Sequence, residues 1–221
     1  MPRGIYQQEL EDLHDQVLIL GSMVDKAIDQ AIQSLVSQDA DSARRVIEED
    51  RGINGKRFQI EEQAIRLLAT QQPMASDLRA IVASLNIIVD LERIGDYAAG
   101  IGKIALMHEG KPLLKPLIDI PRMAKKGRDM LTRALDAFVA RDAEAAMAIA
   151  KEDDDVDALY DQTYRELLTY MLADPHTIDR ATWLIWVAHK LERIADRVTN
   201  ICERVIYEAT GELLEINVSK Y

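Results

Sequence analysis

Cysteine is almost missing from the chain. Cys202 stands alone among 221 residues, which excludes an internal disulfide and any cysteine-built zinc cluster. Aromatic residues make up only 5%, so a core must be assembled from Ala, Leu, Ile, Val and Met, which suits long helices better than sheets. Six prolines and ten glycines leave long stretches uninterrupted. No apolar run approaches the ~20 residues needed to cross a bilayer. The first fifteen residues, MPRGIYQQELEDLHD, lack the apolar centre of a signal peptide. A cytoplasmic protein is therefore expected, one that meets a membrane only through partners. Positive charge is also scarce: 27 basic against 38 acidic residues give a net charge of −11. Such a chain repels phosphate backbones, so general nucleic-acid binding is not expected. The densest basic cluster, Lys125, Lys126 and Arg128, reads as a solvated helix face. No glycine-rich phosphate loop, Ser-His-Asp set or CxxC occurs.

What the chain has in quantity is helical periodicity. Leu10, Leu13, Val17, Leu20, Val24, Ala27, Ala31 and Leu35 recur at steps of three and four, the stripe of a bundle helix reaching about Ser37. Asp39 is placed to cap a second helix, which carries Ala43, Val46, Ile47, Ile53, Ile60, Ala64, Leu67 and Leu68. Gln71-Gln72-Pro73 turns the chain into a third helix, from about Ala75 to Met107. The stretch from His108 to Pro121 holds three prolines and a glycine and marks the clearest boundary. Three more helices are expected at 117–140, 142–172 and 176–210, with Asp142 capping the fifth and Gly211 stopping the sixth.

The halves repeat each other. Asp39, Ala43, Val46 and Asp50 align with Asp142, Ala146, Ile149 and Asp153 at a constant offset of 103, and LERIGD at 91–96 aligns with LERIAD at 191–196 at an offset of 100. The change in offset predicts a connection three residues shorter between the fifth and sixth helices. Repetition at preserved spacing points to a duplicated unit. The fold expected is all-α: two tandem, repeat-related three-helix bundles, residues 1–110 and 111–221.

Carboxylates prolong the apolar stripes. On the third helix Ile81, Leu85 and Ile88 lead to Glu92 and Asp96; on the sixth Ile185 and Ala188 lead to Glu192 and Asp196. Asp50 continues the second helix's stripe, and Asp153 and Asp157 the fifth's. Acids on an inner face need a proton or a cation. An all-oxygen donor set favours a hard cation such as Mg²⁺, Mn²⁺, Ca²⁺ or iron. The candidate metal ligands are Asp50, Glu92, Asp96, Asp153, Asp157, Glu192 and Asp196. The second half offers the richer set, because Asn54 stands where it has Asp157. The alternative is plain salt bridging, with Arg93 and Arg193 as partners. Glu11-x-x-His14 has the spacing of a di-iron bundle, but that architecture needs two such motifs and one is present. Trp183 and Trp186 read as packing residues.

With those residues in place, the chain resembles the PhoU family of phosphate-uptake regulators. The resemblance is carried by QQPMASDLR at 71–79, LERIGD at 91–96 and LERIADRVTNICE at 191–203. It implies a pair of three-helix bundles with multinuclear metal clusters of iron, manganese or magnesium on the seven acids above. It also implies a non-enzymatic homodimeric adaptor, joining the ATPase subunit of the phosphate ABC transporter to the phosphate-sensor histidine kinase and keeping the starvation response off. Asn54, Gly100 against Asn200, and Arg197 in place of an expected histidine depart from that pattern. Asp77, whose repeat mate is Thr177, is expected to cap the third helix. A carboxylate-bridged metalloenzyme, hydrolase or oxidase, and a metal-free helical scaffold are the competing readings.

Overall fold

A computed structural model describes residues 3–216; the outermost ends of the two units, residues 1–2 and 217–221, lie outside it. The first unit comprises α1 (Arg3–Ser37), α2 (Ala40–Gln71) and α3 (Ser76–Met107). The second comprises α4 (Asp119–Ala140), α5 (Ala143–Ala150), α6 (Asp153–Ala173) and α7 (Ile178–Thr210), with a 3₁₀ turn at Pro175–Thr177. The described residues contain no strand.

The helices start and stop where local chemistry directs. The Asp39 carboxylate accepts from the amides of Asp41 and Ser42, and the Asp142 carboxylate from that of Ala145, satisfying first-turn donors that lack a helical partner. Gly211 ends α7 at φ +82°, a left-handed conformation costly for any residue with a Cβ. Asp77 does not cap α3: it lies inside the first turn, and Ala75 at the cap position supplies no side-chain bond.

All eight residues of the α1 stripe are buried. They join one hydrophobic cluster that runs through both units and includes Ile87, Phe138, Leu191 and Ile194. The units are packed together along two seams, α3 against α7 and α1 against α4. Arg128 on α4 ties the second seam, with its Nε and Nη2 at 2.7 and 2.8 Å from the Asp25 carboxylate and a further bond to Asp29. Lys126 pairs with Asp155 at 2.8 Å. The basic cluster at 125–128 is thus largely consumed in ion pairs; only Lys125 remains a solvated face residue.

Two expectations fail in detail. The fifth helix is interrupted at Lys151–Glu152, where i→i+3 bonds from Glu152 to Ile149 and from Asp155 to Glu152 replace the α-helical ladder. Arg133 grips Glu152 there with two bonds of 2.8 Å. The connections between second and third helices are also equal in the two units, at 72–75 and 174–177. The three missing residues come from helix ends: α6 is one residue shorter after Asp153 than α2 after Asp50, and α7 is two shorter before Leu191 than α3 before Leu91.

Candidate functional site

The seven acids fall into two groups, as their spacing requires. In the first unit α2 supplies Asp50 and α3 supplies Glu92 and Asp96. Burial raises the Asp50 carboxyl above its ordinary value, and the Asp96 charge adds to it, while Lys103 works in the opposite direction. Burial and then Asp96 likewise raise Glu92. Asn54 turns its amide on Asp50, donating to the backbone oxygen at 3.1 Å and to Oδ2 at 3.2 Å. Asp50 Oδ1 is buried and accepts no hydrogen bond.

In the second unit α6 supplies Asp153 and Asp157, and α7 supplies Glu192 and Asp196. Asp153 is 2% exposed. Glu192 is pushed up to about 7, chiefly by burial and then by Asp196, Asp157 and Asp153. Its Oε2 is buried without a hydrogen bond, and the nearest cation-capable group is His189 Nδ1 at 3.4 Å. Both units spend acids on internal ion pairs: Arg93 meets Asp96 at 3.1 Å and Glu92 at 3.6 Å, and Arg193 pairs with Asp196.

The donor chemistry fits a hard cation. Oxygen ligands are concentrated, partly desolvated and, at Asp50 Oδ1 and Glu192 Oε2, unsatisfied. The side chains as they stand are not drawn together, however. Among the described residues no three carboxylate, imidazole or thiol groups converge on a common point. An ion would need side-chain rotations to gather them.

His14 is no part of such a site. Its ring lies against Phe138 at 4.8 Å, burial depresses its pKa to about 4, and Glu11 points to solvent. Trp183 packs edge-on against His108 at 5.0 Å, whereas Trp186 is 47% exposed.

The sequence reading missed a polar cluster on the α3–α7 seam. Asp90, 8% exposed, accepts from Arg197 Nη1 at 3.2 Å and from Asn200 Nδ2 at 3.3 Å. Arg197, one of the departures noted, and Asn200, the repeat mate of Gly100, are therefore partners of one buried acid. The usable signal was the lysine at 190, the repeat mate of Asp90.

A family model described as the PhoU domain matches the chain twice, at residues 17–105 and 120–205. A phosphate-specific transport system accessory protein PhoU homologue of Clostridium acetobutylicum is 39% identical over 218 residues, covering 98% of this chain and all of that one. Two crystal structures superpose with a TM-score of 0.89. The phosphate transport system regulatory protein PhoU from Streptococcus pneumoniae is 34% identical, and covers 96% of this chain and 100% of that one. PhoU from Pseudomonas aeruginosa is 38% identical, with coverages of 94% and 100%.

Proposed function

The chain belongs to the PhoU family, and from that premise we propose that it is a negative regulator of phosphate uptake and of the phosphate-starvation response. The observation that carries the reading is the match to an accessory protein along the full length of both chains, in sequence and in fold. The family is one of accessory and regulatory proteins, not of enzymes.

In this reading the protein is a cytoplasmic adaptor between the ATPase subunit of a phosphate ABC transporter and a phosphate-sensing histidine kinase. No described helix is long and apolar enough to cross a membrane. That agrees with contact to the membrane through partners alone. Phe58 and Ile65, two turns apart on α2, are 59% and 54% exposed, which supports a homodimer or partner contact.

The acids are read as metal ligands: Asp50, Glu92 and Asp96 in one group, and Asp153, Asp157, Glu192 and Asp196 in the other. A bound iron, manganese or magnesium ion would supply positive charge that cancels their repulsion and stiffens the bundle. The raised carboxyls and the unsatisfied oxygens support this; the ion pairs of Asp96 and Asp196 favour the metal-free alternative.

Two experiments test these readings separately. Deleting the gene and growing the cells in high phosphate should leave alkaline phosphatase switched on; repressed enzyme would overturn the regulatory role. Elemental analysis and melting of the purified protein with and without Mn²⁺ test the metal. A melt that ignores Mn²⁺ in the parent and in Asp153→Ala, Glu192→Ala alike would leave the metal-free scaffold standing.

A further inference from the structure

α3 and α7 cross antiparallel. Asp90 and Gly100 on α3 face Asn200 and Lys190 on α7, in the opposite order. Because the repeat relates residues 90 and 190, and 100 and 200, the two ends of this seam are equivalent positions carrying different side chains. At one end stand Asp90 and Glu203; at the other stand their mates Lys190 and Lys103. The charges are reversed.

The two ends also differ in what covers them. The acidic end is closed. Asp90 is held by Arg197 and Asn200, and Glu203, 8% exposed, accepts the backbone amide of Ile216 at 2.8 Å. The segment after Gly211 thus returns onto α7, and Ile216 packs against the core. A non-helical piece of chain therefore lies against Glu203 at that end.

The basic end is open. A groove of about 540 Å³ lies there, lined by Lys103, Lys190, His189, Ile104, Met107 and Trp186. Asp96 borders it, paired at 3.1 Å with Arg93, which also meets Glu92. The Lys190 ammonium lies over Gly100, where a Cβ would come within 2.7 Å of Nζ, and 5.8 Å from the centre of the Tyr97 ring. Among the described residues neither lysine forms an ion pair. Two ammonium groups without an ion pair within 4 Å thus stand beside an exposed indole, although the Lys103 charge is felt at Asp50.

We propose that this groove is a docking site for an extended acidic segment of a partner protein, with carboxylates on Lys103 and Lys190 and an aliphatic side chain against Ile104, Met107 and Trp186. Charge complementarity points to an acidic occupant, and the non-helical backbone bound to Glu203, the repeat mate of Lys103, points to a peptide. The proposal rests on the adaptor reading for its biological meaning and supplies the partner-binding surface that reading lacks. Small bound ions do not fill such a volume, and the apolar wall gives an aliphatic anchor a place that a free anion does not use.

The test uses purified full-length protein in EDTA, so metal binding does not enter, and does not depend on any phosphate phenotype. A fluorescein-labelled decapeptide of alternating glutamate and leucine is the probe, read by polarisation. Binding is expected to weaken at least tenfold in the double variant Lys103→Glu, Lys190→Glu, and several-fold in Trp186→Ala. The control variant Lys125→Glu, Lys151→Glu makes the same charge change elsewhere and should bind as the parent does. Circular dichroism melts establish that each variant is folded. Equal weakening in both double variants, no binding by the parent, or displacement of the peptide by AMP at lower concentration than by unlabelled peptide would each overturn the proposal.

Discussion

The two acid groups began as copies and now differ in how far their charge is tolerated. In the first unit α2 runs unbroken past Asp50, and Asn54 occupies the position of a fourth acid while donating to Asp50. In the second unit the helix tightens just before Asp153, which becomes the first residue of α6 and is nearly buried. Free amides and the dipole at a helix start favour carboxylates. Burial, and then the charges of Asp196, Asp157 and Asp153, hold the Glu192 carboxyl at about 7. The lesson is that equivalent positions diverge with their surroundings: Asn54 donates to Asp50 in one unit, while in the other Asp153 opens a helix beside a carboxyl that burial holds at about 7.

The sharpest way to break the comparison is to ask whether the units are separate at all. Leu35 and Phe138 are repeat mates, 1% and 0% exposed, in one continuous cluster. Leu35→Ala and Phe138→Ala should each cost about 3–4 kcal/mol. Both should lower a single cooperative transition in calorimetry, and two resolved transitions in either variant would show that the halves unfold independently.

Next in size is the loaded carboxyl. Glu192 binds its proton more tightly folded, at about 7, than unfolded, at 4.5, so the native state holds the extra proton between those values. Stability therefore falls as pH rises through that window, and the penalty is complete above it. Glu192→Gln removes the penalty and should stabilise the metal-free protein at pH 8.5 by about 2 kcal/mol after allowance for solvent screening, with little change at pH 4.5. Glu92→Gln should shift the same way by less. Thermal melts at the two pH values check the ranking.

The helix interruption offers a smaller contrast. Glu152, gripped twice by Arg133, has the repeat mate Glu49, which meets only Lys26 at 3.4 Å on an exposed surface. Glu152→Ala should cost about 1–2 kcal/mol and Glu49→Ala under about 0.5 kcal/mol. Urea titrations with equal m-values would make the two directly comparable.

The smallest effect sharpens the comparison by erasing it. Asn54→Asp restores the fourth acid but removes a donor to Asp50 and adds a like charge one turn away. It should destabilise the metal-free chain by about 1 kcal/mol at pH 8. If the acids are metal ligands, it should also raise Mn²⁺ uptake by the first unit. A variant that melts like the parent and binds no more Mn²⁺ would separate the first group from any role in metal binding.

Much of this could be read from the sequence, and the parts that could be read were local. Asp39, Asp142 and Gly211 set helix ends through bonds to their near neighbours, so residue type alone located them. The α1 stripe was legible because burial on a long helix follows one period. The break at Lys151–Glu152 was not, since neither residue is a breaker and its hold on Arg133 spans 19 residues. The acid groups were legible because the repeat doubled every signal. The α3–α7 seam was not, because a repeat reveals which positions are equivalent and says nothing about which of them meet. Arg197 looked like a departure from a pattern until Asp90 supplied the reason, with Asn200 as its second partner.

That seam has a consequence for how such a chain can evolve. Two identical subunits pairing through α3 would be bound by their twofold axis to show the same residue at each end. An acid at position 90 would appear twice, and so would any residue opposite it. Fusing the copies into one chain lifts that constraint, since each end then mutates alone. Asp90 at one end and Lys190 at the other is a combination that no symmetric ancestor could have carried.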